Sequence, residues 1–351
     1  QLLIDMGGDY AFSEEPERSM EYLEAAAALA MSEGLEDRLI QMSRHNLLGL
    51  EYERQGDYYR LLTEYQQERL HASREIGHRP MESQALQACG RIVGIYLGDY
   101  MAGLNALEDA HRILSGTRDE VYPLLHIAQI QISQANHADA GETLEQIEAV
   151  GEPIRDRAKG SLIIVRALFH NAQGARAASK GDSDQVKDHL ERSLSLADET
   201  LDLVDHSPMV SKQYVMGAMC KSVTAHLGLA QMASNASAES DHLRQAIEAA
   251  EQAYDIYQYF GFSQIVECTS EEVLFRYSQA LAANDQPDLA IRYLRRAYDE
   301  MSRKHSLIPV DSSFRRTYLE QIPLHREIRA AYASRVGSIL GNTQHVKTTA
   351  D

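Results

Sequence analysis

The sequence predicts an all-α protein, a solenoid of about seven helix pairs closed by a C-terminal capping helix. Three observations indicate this fold. A Gly-Asp turn signal recurs at Gly8-Asp9-Tyr10, Gly56-Asp57-Tyr58 and Gly98-Asp99-Tyr100, with weaker versions at Gly181-Asp182 and Asn284-Asp285. The intervening stretches are rich in Ala, Leu, Glu, Gln and Arg, which favour helices. The 351 residues include only 8 prolines and 21 glycines, fewer than an all-β chain with frequent turns would need.

Each Gly-Asp dipeptide predicts a tight turn between two helices. Glycine can adopt a positive φ where the first helix ends, and the aspartate can accept hydrogen bonds from the first turn of the next helix. The resulting pairs run at 36–55 with 57–76, 81–97 with 100–115, 119–134 with 138–149, 154–180 with 183–204, 209–233 with 240–260, and 268–283 with 287–304. Residues 1–32 supply a truncated helix and one complete helix, and a terminal helix covers 313–334.

One stretch is ambiguous between strand and helix. Leu162-Ile163-Ile164-Val165 is largely β-branched, which is typical of a buried strand. No turn signal interrupts the chain from Arg155 to Lys180, so a central buried helix is the preferred interpretation.

Composition and charge exclude several function classes. The chain has 34 Lys and Arg against 52 Asp and Glu, a net charge of −18, which repels a phosphate backbone; no nucleic-acid partner is expected. No uncharged apolar run is long enough to span a membrane. Cys89, Cys220 and Cys268 are far apart in the sequence, which suggests buried thiols in a reducing cytoplasm. The start at Gln1 suggests a processed chain or a fragment of a larger protein.

Residues His45 to Tyr58, followed by Leu61 and Tyr65, resemble a tetratricopeptide repeat (TPR). This unit contains Leu48-Gly49, then Tyr52, then Gly-Asp-Tyr. It departs from the family where His45 replaces the usual Trp and Leu61 replaces the usual small residue. The resemblance implies a right-handed superhelix in which the first helix of each pair lines a concave face.

The family's inward positions on this chain carry amide, carboxylate and apolar side chains, which suits an extended peptide or a helix as ligand. The polar and aromatic members that we select as groove residues are Ser43, Asn46, Glu53, Tyr122, Gln129, Asn171, Glu272 and Gln279. The alternative is that these side chains only pack against neighbouring helices or a capping helix.

A second resemblance concerns the C-terminal end. Residues Phe314 to Ile328 are similar to the closing segment of such arrays in bacterial signal-transduction ATPases and maltose-regulator-type transcription regulators. It implies that residues 311–335 cap the end of a long array. We expect a single TPR-like solenoid over 1–335, followed by a flexible tail over 336–351. The expected function is a non-catalytic, cytoplasmic sensor that binds a protein or peptide within such a larger regulator. The alternative is a free-standing peptide-binding sensor or scaffold adaptor.

Catalytic and metal motifs are absent from the sequence. No phosphate loop, dinucleotide fingerprint, zinc motif or nucleophile elbow occurs, so no cofactor, metal or enzyme activity is expected. Asp205-His206-Ser207 contains triad residue types, but adjacent side chains point apart, and Ser207 is interpreted as a helix cap. Glu271-Glu272 is interpreted as a pair of charges at a helix start. His325-Arg326-Glu327 is interpreted as a solvated helix face.

The charge is distributed unevenly along the chain. Residues 1–34 contain eight acidic residues and Arg18, a charge of −7, whereas residues 292–335 contain ten basic and five acidic residues, a charge of +5. The basic end could dock through Arg315, Arg316 and Arg326 on an acidic surface. That surface would belong to another domain of the parent chain, to a partner, or to a second copy in a homo-oligomer.

Overall fold

The described part of the chain is helical, which confirms the predicted all-α class. A computed structural model describes Leu3, Gly49 and residues 16–32, 52–151, 154–207 and 210–346, with side chains up to residue 335 at the C-terminal end. No strand occurs among these residues, and one isolated bridge joins Ile265 to Cys268. No helix in these ranges is long and apolar enough to cross a bilayer.

The helices are numbered in chain order. They are α1 Pro16–Ser32, α2 Tyr58–Arg60 continuing through a π-helical turn Leu61–Gln66 into Gln67–Glu75, α3 Arg79–Arg91 ending in a π-helical turn Ile92–Tyr96, α4 Tyr100–Leu114, α5 Val121–Ser133, α6 His137–Ala149, α7 Asp156–Ser179, α8 Ser183–His206, α9 Gln213–Met232, α10 Ala236–Tyr259, α11 Ser270–Ala283, α12 Pro287–Ser306, α13 Phe314–Glu320 and α14 Pro323–Val346. A short 3-10 helix, Arg118–Glu120, precedes α5.

The chain forms two compact units. The first contains residues 1–162 and 202–212, and the second contains residues 163–201 and 213–351. Within the first unit, the helices α2 to α6 pack in sequence order: α2 against α3, α3 against α4, α4 against α5, and α5 against α6. Within the second unit, α9 to α12 pack in the same sequential manner, and α14 packs against α12. Packing between sequence neighbours is typical of repeat architectures.

The predicted Gly-Asp turns are confirmed at three positions. Gly56, Gly98 and Gly181 have φ values of 72°, 76° and 73°. The following aspartates, Asp57, Asp99 and Asp182, accept a hydrogen bond from the third residue of the next helix at 3.2, 3.2 and 3.1 Å. In the weak Asn284-Asp285 version the positive φ, 54°, belongs to Asp285. The copy at Gly8-Asp9-Tyr10 lies outside the described residues.

The C-terminal helix differs from the prediction in two ways. The helix expected over 313–334 is divided into α13 and α14, because Pro323 lacks an N–H and disfavours helical backbone at Ile322. Helix α14 then continues to Val346, into the segment where the sequence predicted a tail.

Burial supports the sequence interpretation of the central segment and of the cysteines. Leu162, Ile163, Ile164 and Val165 lie in α7 and are buried, as predicted for a central helix. The three cysteines are buried free thiols. Aliphatic side chains from α7, α8 and α9 form a core of the second unit: Ala177, Val186, Leu190, Ala225 and Leu229.

Helices α3 and α4 cross at a pair of glycines. A Cβ atom on Gly103 would lie 2.5 Å from the Gly94 Cα atom and 2.9 Å from the Gly90 carbonyl oxygen. These neighbours are backbone atoms, which cannot rotate away. The crossing therefore requires glycine at position 103.

We expect Gly103→Ala to lower the melting temperature, with a cost of at least about 1–3 kcal/mol from overpacking. This outweighs the gain of about 1 kcal/mol that alanine gives over glycine in a helix. Gly174→Ala is the matched control, since its Cβ would meet only side-chain atoms, Leu190 Cδ2 at 3.1 Å, Leu190 Cγ at 3.3 Å and His189 Cβ at 3.8 Å. Equal melting temperatures for the two variants would contradict the prediction.

Candidate functional site

The most unusual site in the second unit is a buried ionic cluster centred on Glu271. Its carboxylate accepts from Lys304 Nζ at 2.5 Å and lies 3.1 Å from His325 Nε2. Glu271 and Lys304 are each 1% exposed, and His325 is 3% exposed. Charged groups are rarely so deeply buried unless they are paired.

The positions of these residues in their helices bring them together. Glu271 is in the first turn of α11, Lys304 is in the last turn of α12, and His325 is in the first turn of α14. Because α11 and α12 are antiparallel neighbours, the start of one lies beside the end of the other. The cluster therefore fixes α14 against the pair formed by α11 and α12.

Neighbouring polar groups complete the hydrogen bonding of the cluster. Gln264 Oε1 accepts from Lys304 Nζ at 2.7 Å and from the Ser270 backbone N–H at 3.2 Å. His325 Nδ1 lies 2.7 Å from the Tyr318 carbonyl oxygen. Both ring nitrogens of His325 thus face oxygen atoms of the protein.

Glu271 remains ionised in this environment. Burial by itself raises the pKa of its carboxyl, but the Lys304 ammonium and the His325 ring outweigh burial and hold that pKa well below its usual value. Glu300 adds a second negative charge 3.7 Å from Lys304. The buried Lys304 ammonium therefore has two carboxylates within 4 Å.

A second buried ion pair joins α9 to α11. Lys221 Nζ donates to Glu272 Oε1 at 2.6 Å and to the Glu267 carbonyl oxygen at 3.1 Å. Burial alone lowers the pKa of Lys221, but Glu272 together with the neighbouring Cys268 and Cys220 raises it more, so the net shift is upward. The ammonium stays protonated and is not a nucleophile. Its chemical role is to hold helices together.

These contacts correct two sequence interpretations. Glu271 and Glu272 do lie in the first turn of α11, but each is buried and bound to a different lysine rather than acting only on the helix dipole. His325 is buried, so the interpretation of a solvated face is wrong for it, although Arg326 and Glu327 are exposed. Sequence analysis did not single out Lys304 on α12, the lysine that binds Glu271.

The triad residue types at 205–207 do not converge. His206 Nδ1 lies 2.8 Å from the Asp202 carbonyl oxygen, and Ser207 Oγ donates to the Asp156 carboxylate. Ser207 therefore ties the end of α8 to the start of α7.

The predicted groove residues are divided between the two units. Ser43 and Asn46 lie outside the described residues. In the first unit, Glu53 accepts from Arg91 and from the Tyr96 hydroxyl at 2.9 Å. Gln129 is buried and its Oε1 lies 3.2 Å from His126 Nδ1. Tyr122 is half-buried.

The groove residues of the second unit are also engaged. Asn171 is buried and donates to the Lys221 carbonyl oxygen at 3.0 Å, and Glu272 pairs with Lys221. Gln279 is half-buried and accepts from Arg276 at 2.8 Å. Glu53, Asn171 and Glu272 therefore serve contacts between helices, as the alternative expected, while Tyr122 and Gln279 are half-buried.

The three predicted docking arginines have different environments. Arg315 is half-buried and donates to the Ile308 carbonyl oxygen at 2.7 Å. Arg316 is exposed. Arg326 is exposed and borders a concavity that also involves Arg329, which the sequence analysis did not select. Arg326 and Arg329 are three residues apart on one helix, and this spacing could have led sequence analysis to select Arg329 as well.

Two pairs of histidines connect helices within the second unit. The Nδ1 atoms of His170 and His189 are 3.1 Å apart, joining α7 to α8, and those of His226 and His242 are 3.3 Å apart, joining α9 to α10. Burial, followed by the charge of the facing histidine, lowers the pKa of His170 and of His226 to about 4. No group of three or more metal-ligating residues occurs in the described ranges.

No model of a known protein family matches the chain, and no curated protein sequence matches it. The likeness to tetratricopeptide repeats therefore remains a prediction from the residues that carry it.

We expect Glu271→Gln to destabilise the protein by about 3–5 kcal/mol, because the buried Lys304 ammonium would lose the carboxylate that lies 2.5 Å from it. Urea unfolding at neutral pH measures this loss. Glu327→Gln is the matched control, since Glu327 is half exposed and pairs with Arg276 at 3.4 Å, a surface contact worth at most about 1 kcal/mol. Equal unfolding midpoints for both variants would exclude a stabilising role for the Glu271 pairing.

The histidine pairs predict a loss of stability in acid. Because the pKa of His170 and His226 falls from 6.5 to about 4 on folding, the unfolded chain binds more protons between these values, and stability decreases as pH falls through that range. The double variant His170→Gln/His226→Gln should lose less stability than the wild type on acidification. Unfolding at a series of pH values tests this, with the exposed His71→Gln as control. Parallel pH profiles for the wild type and the double variant would contradict the prediction.

Proposed function

We propose that this chain is a TPR-like regulatory module that binds a protein or peptide and belongs to a larger bacterial signalling ATPase or transcription regulator. The supporting observation is the recurring Gly-Asp turn, which joins helices that pack in sequence order within each unit. Such repeats expose extended surfaces, and recognition of extended ligands is their usual use.

The chemistry of the buried polar groups favours binding over catalysis. Glu271 and Glu272 are each paired with a buried lysine, and Lys221 is held protonated, so these groups stabilise helix contacts. The proposal needs no cofactor. A ligand seated on the first helices would act by changing the relative position of successive helix pairs.

Two side chains at the predicted inward positions are suited to ligand contact. Tyr122 is half-buried and offers a large apolar ring with a polar end. The Gln279 oxygen is engaged by Arg276, which leaves its amide nitrogen to donate to a peptide carbonyl. Each lies on the first helix of its pair, α5 and α11.

Selection from a displayed peptide library against the full chain tests the proposal. We expect enriched peptides whose binding weakens about tenfold in Tyr122→Ala or in Gln279→Ala, as for contact residues near the centre of an interface. Arg192→Gln is the control, because Arg192 lies on the second helix α8 and forms only an exposed pair with Asp188.

Two outcomes would count against the module. One is that no peptide is enriched over an unrelated helical protein. The other is that enriched peptides bind both groove variants and the control with the affinity of the wild type. This result would show that the peptides do not bind at the predicted concave face.

A further inference from the structure

A concavity of about 460 Å³ lies between α12 and α14 in the second unit. Its walls combine arginine, tyrosine and alanine side chains: Tyr298, Arg326, Arg329, Ala330, Tyr332 and Ala333. Its volume falls in the range of ligand sites that accommodate a few side chains.

Both guanidinium groups are held in place from one side. Arg326 Nη1 donates to the Glu320 and Gln321 carbonyl oxygens at 3.0 and 3.1 Å, at the end of α13. Arg329 Nη1 donates to the Leu319 carbonyl oxygen at 3.4 Å. Each guanidinium has five N–H donors, so most of the donors of both groups remain for a ligand. Anchoring also reduces the entropy lost on binding.

The positive charge of this pair is not neutralised. Neither Arg326 nor Arg329 has a carboxylate within 4 Å among the described residues, unlike Arg276 and Arg303. Like charges three residues apart on a helix repel each other. Residues 292–335 carry a charge of +5 within a chain of −18, so the surrounding segment adds to the positive potential. An anionic group would relieve this repulsion.

The opposite wall of the concavity is aromatic. The rings of Tyr298 and Tyr332 stack with their centroids 4.0 Å apart and an interplanar angle of 15°. Both residues are half-buried, so the stacked pair leaves part of its area to a ligand. A ligand that combines carboxylates with aliphatic stems matches both walls.

We propose that this concavity binds an acidic peptide segment of a partner protein, with glutamate or aspartate carboxylates on Arg326 and Arg329 and the adjoining chain against Tyr298 and Tyr332. The inference deepens the proposed function, on which it rests, by assigning a site and a ligand chemistry outside the concave groove. Arg329, Tyr298 and Tyr332 replace Arg315 as docking residues, because the Arg315 side chain is occupied by the Ile308 carbonyl oxygen.

Fluorescence anisotropy with a labelled poly-glutamate peptide tests the site in the full chain. We expect saturable binding that weakens as salt rises, and no comparable binding of a poly-glutamine peptide of the same length. The variant Arg326→Gln/Arg329→Gln should bind poly-glutamate about tenfold more weakly or worse, since charge-assisted hydrogen bonds are lost. Arg192→Gln, an exposed arginine on α8, should bind as the wild type does.

A second variant avoids disturbing the end of α13. Ala333 is exposed, lines the concavity and lies one turn beyond Arg329, so Ala333→Glu places a carboxylate beside the guanidinium without removing a contact. We expect Ala333→Glu to reduce poly-glutamate binding more than the similarly sized Ala333→Gln does. Circular dichroism checks that helicity is retained.

Three results would overturn the assignment. The first is an affinity for poly-glutamate no higher than that for poly-glutamine. The second is an Ala333→Glu variant that binds poly-glutamate with the affinity of the wild type. Alternatively, concentration-dependent sedimentation that Ala333→Glu abolishes would identify a second copy of the chain as the occupant. If library peptides still depend on Tyr122 or Gln279 in any of these cases, the proposed function stands and only this site fails.

Discussion

The carboxylate of Glu271, on α11, binds side chains from two other helices of the second unit. Lys304 from α12 and His325 from α14 both reach it inside a region from which water is largely excluded. Replacing Glu271 with a neutral residue would leave the buried Lys304 ammonium without its nearest carboxylate, which costs far more than losing a surface contact. The pairing therefore specifies where α14 starts relative to α11 and α12, and the concavity between α12 and α14 depends on that placement.

The need of buried polar side chains for partners also explains why only part of the predicted groove could contact a ligand. Glu53, Gln129, Asn171 and Glu272 stand at positions where a repeat protein can present side chains to a ligand, yet each is bound to another residue of the chain. A buried polar group needs a partner, and here that partner is another group of the chain itself. Under the proposed function, ligand contact falls to half-buried residues such as Gln279 and to surfaces with unbalanced charge.

Arg326 shows how one structural feature produces another. Pro323 interrupts the terminal helix, so the carbonyl groups at the end of α13 lack helical partners. Arg326 and Arg329 on α14 satisfy them, and this fixes both guanidinium groups at the edge of the concavity. The break thus contributes to the electrostatic character of the surface as well as to its shape.

The sequence by itself determined the helical class, the turns and most helix boundaries, because these depend on local chemistry: positive φ at Gly56 and Gly98, and aspartate caps after them. It also contained the positive charge of the C-terminal segment. Only the tertiary structure decided that Glu271 faces Lys304 and His325, that His170 faces His189, and that Tyr298 stacks on Tyr332. Those pairs join residues 19 to 54 positions apart on different helices, and helix periodicity gives the face of each residue but not which side chain it meets on the neighbouring helix.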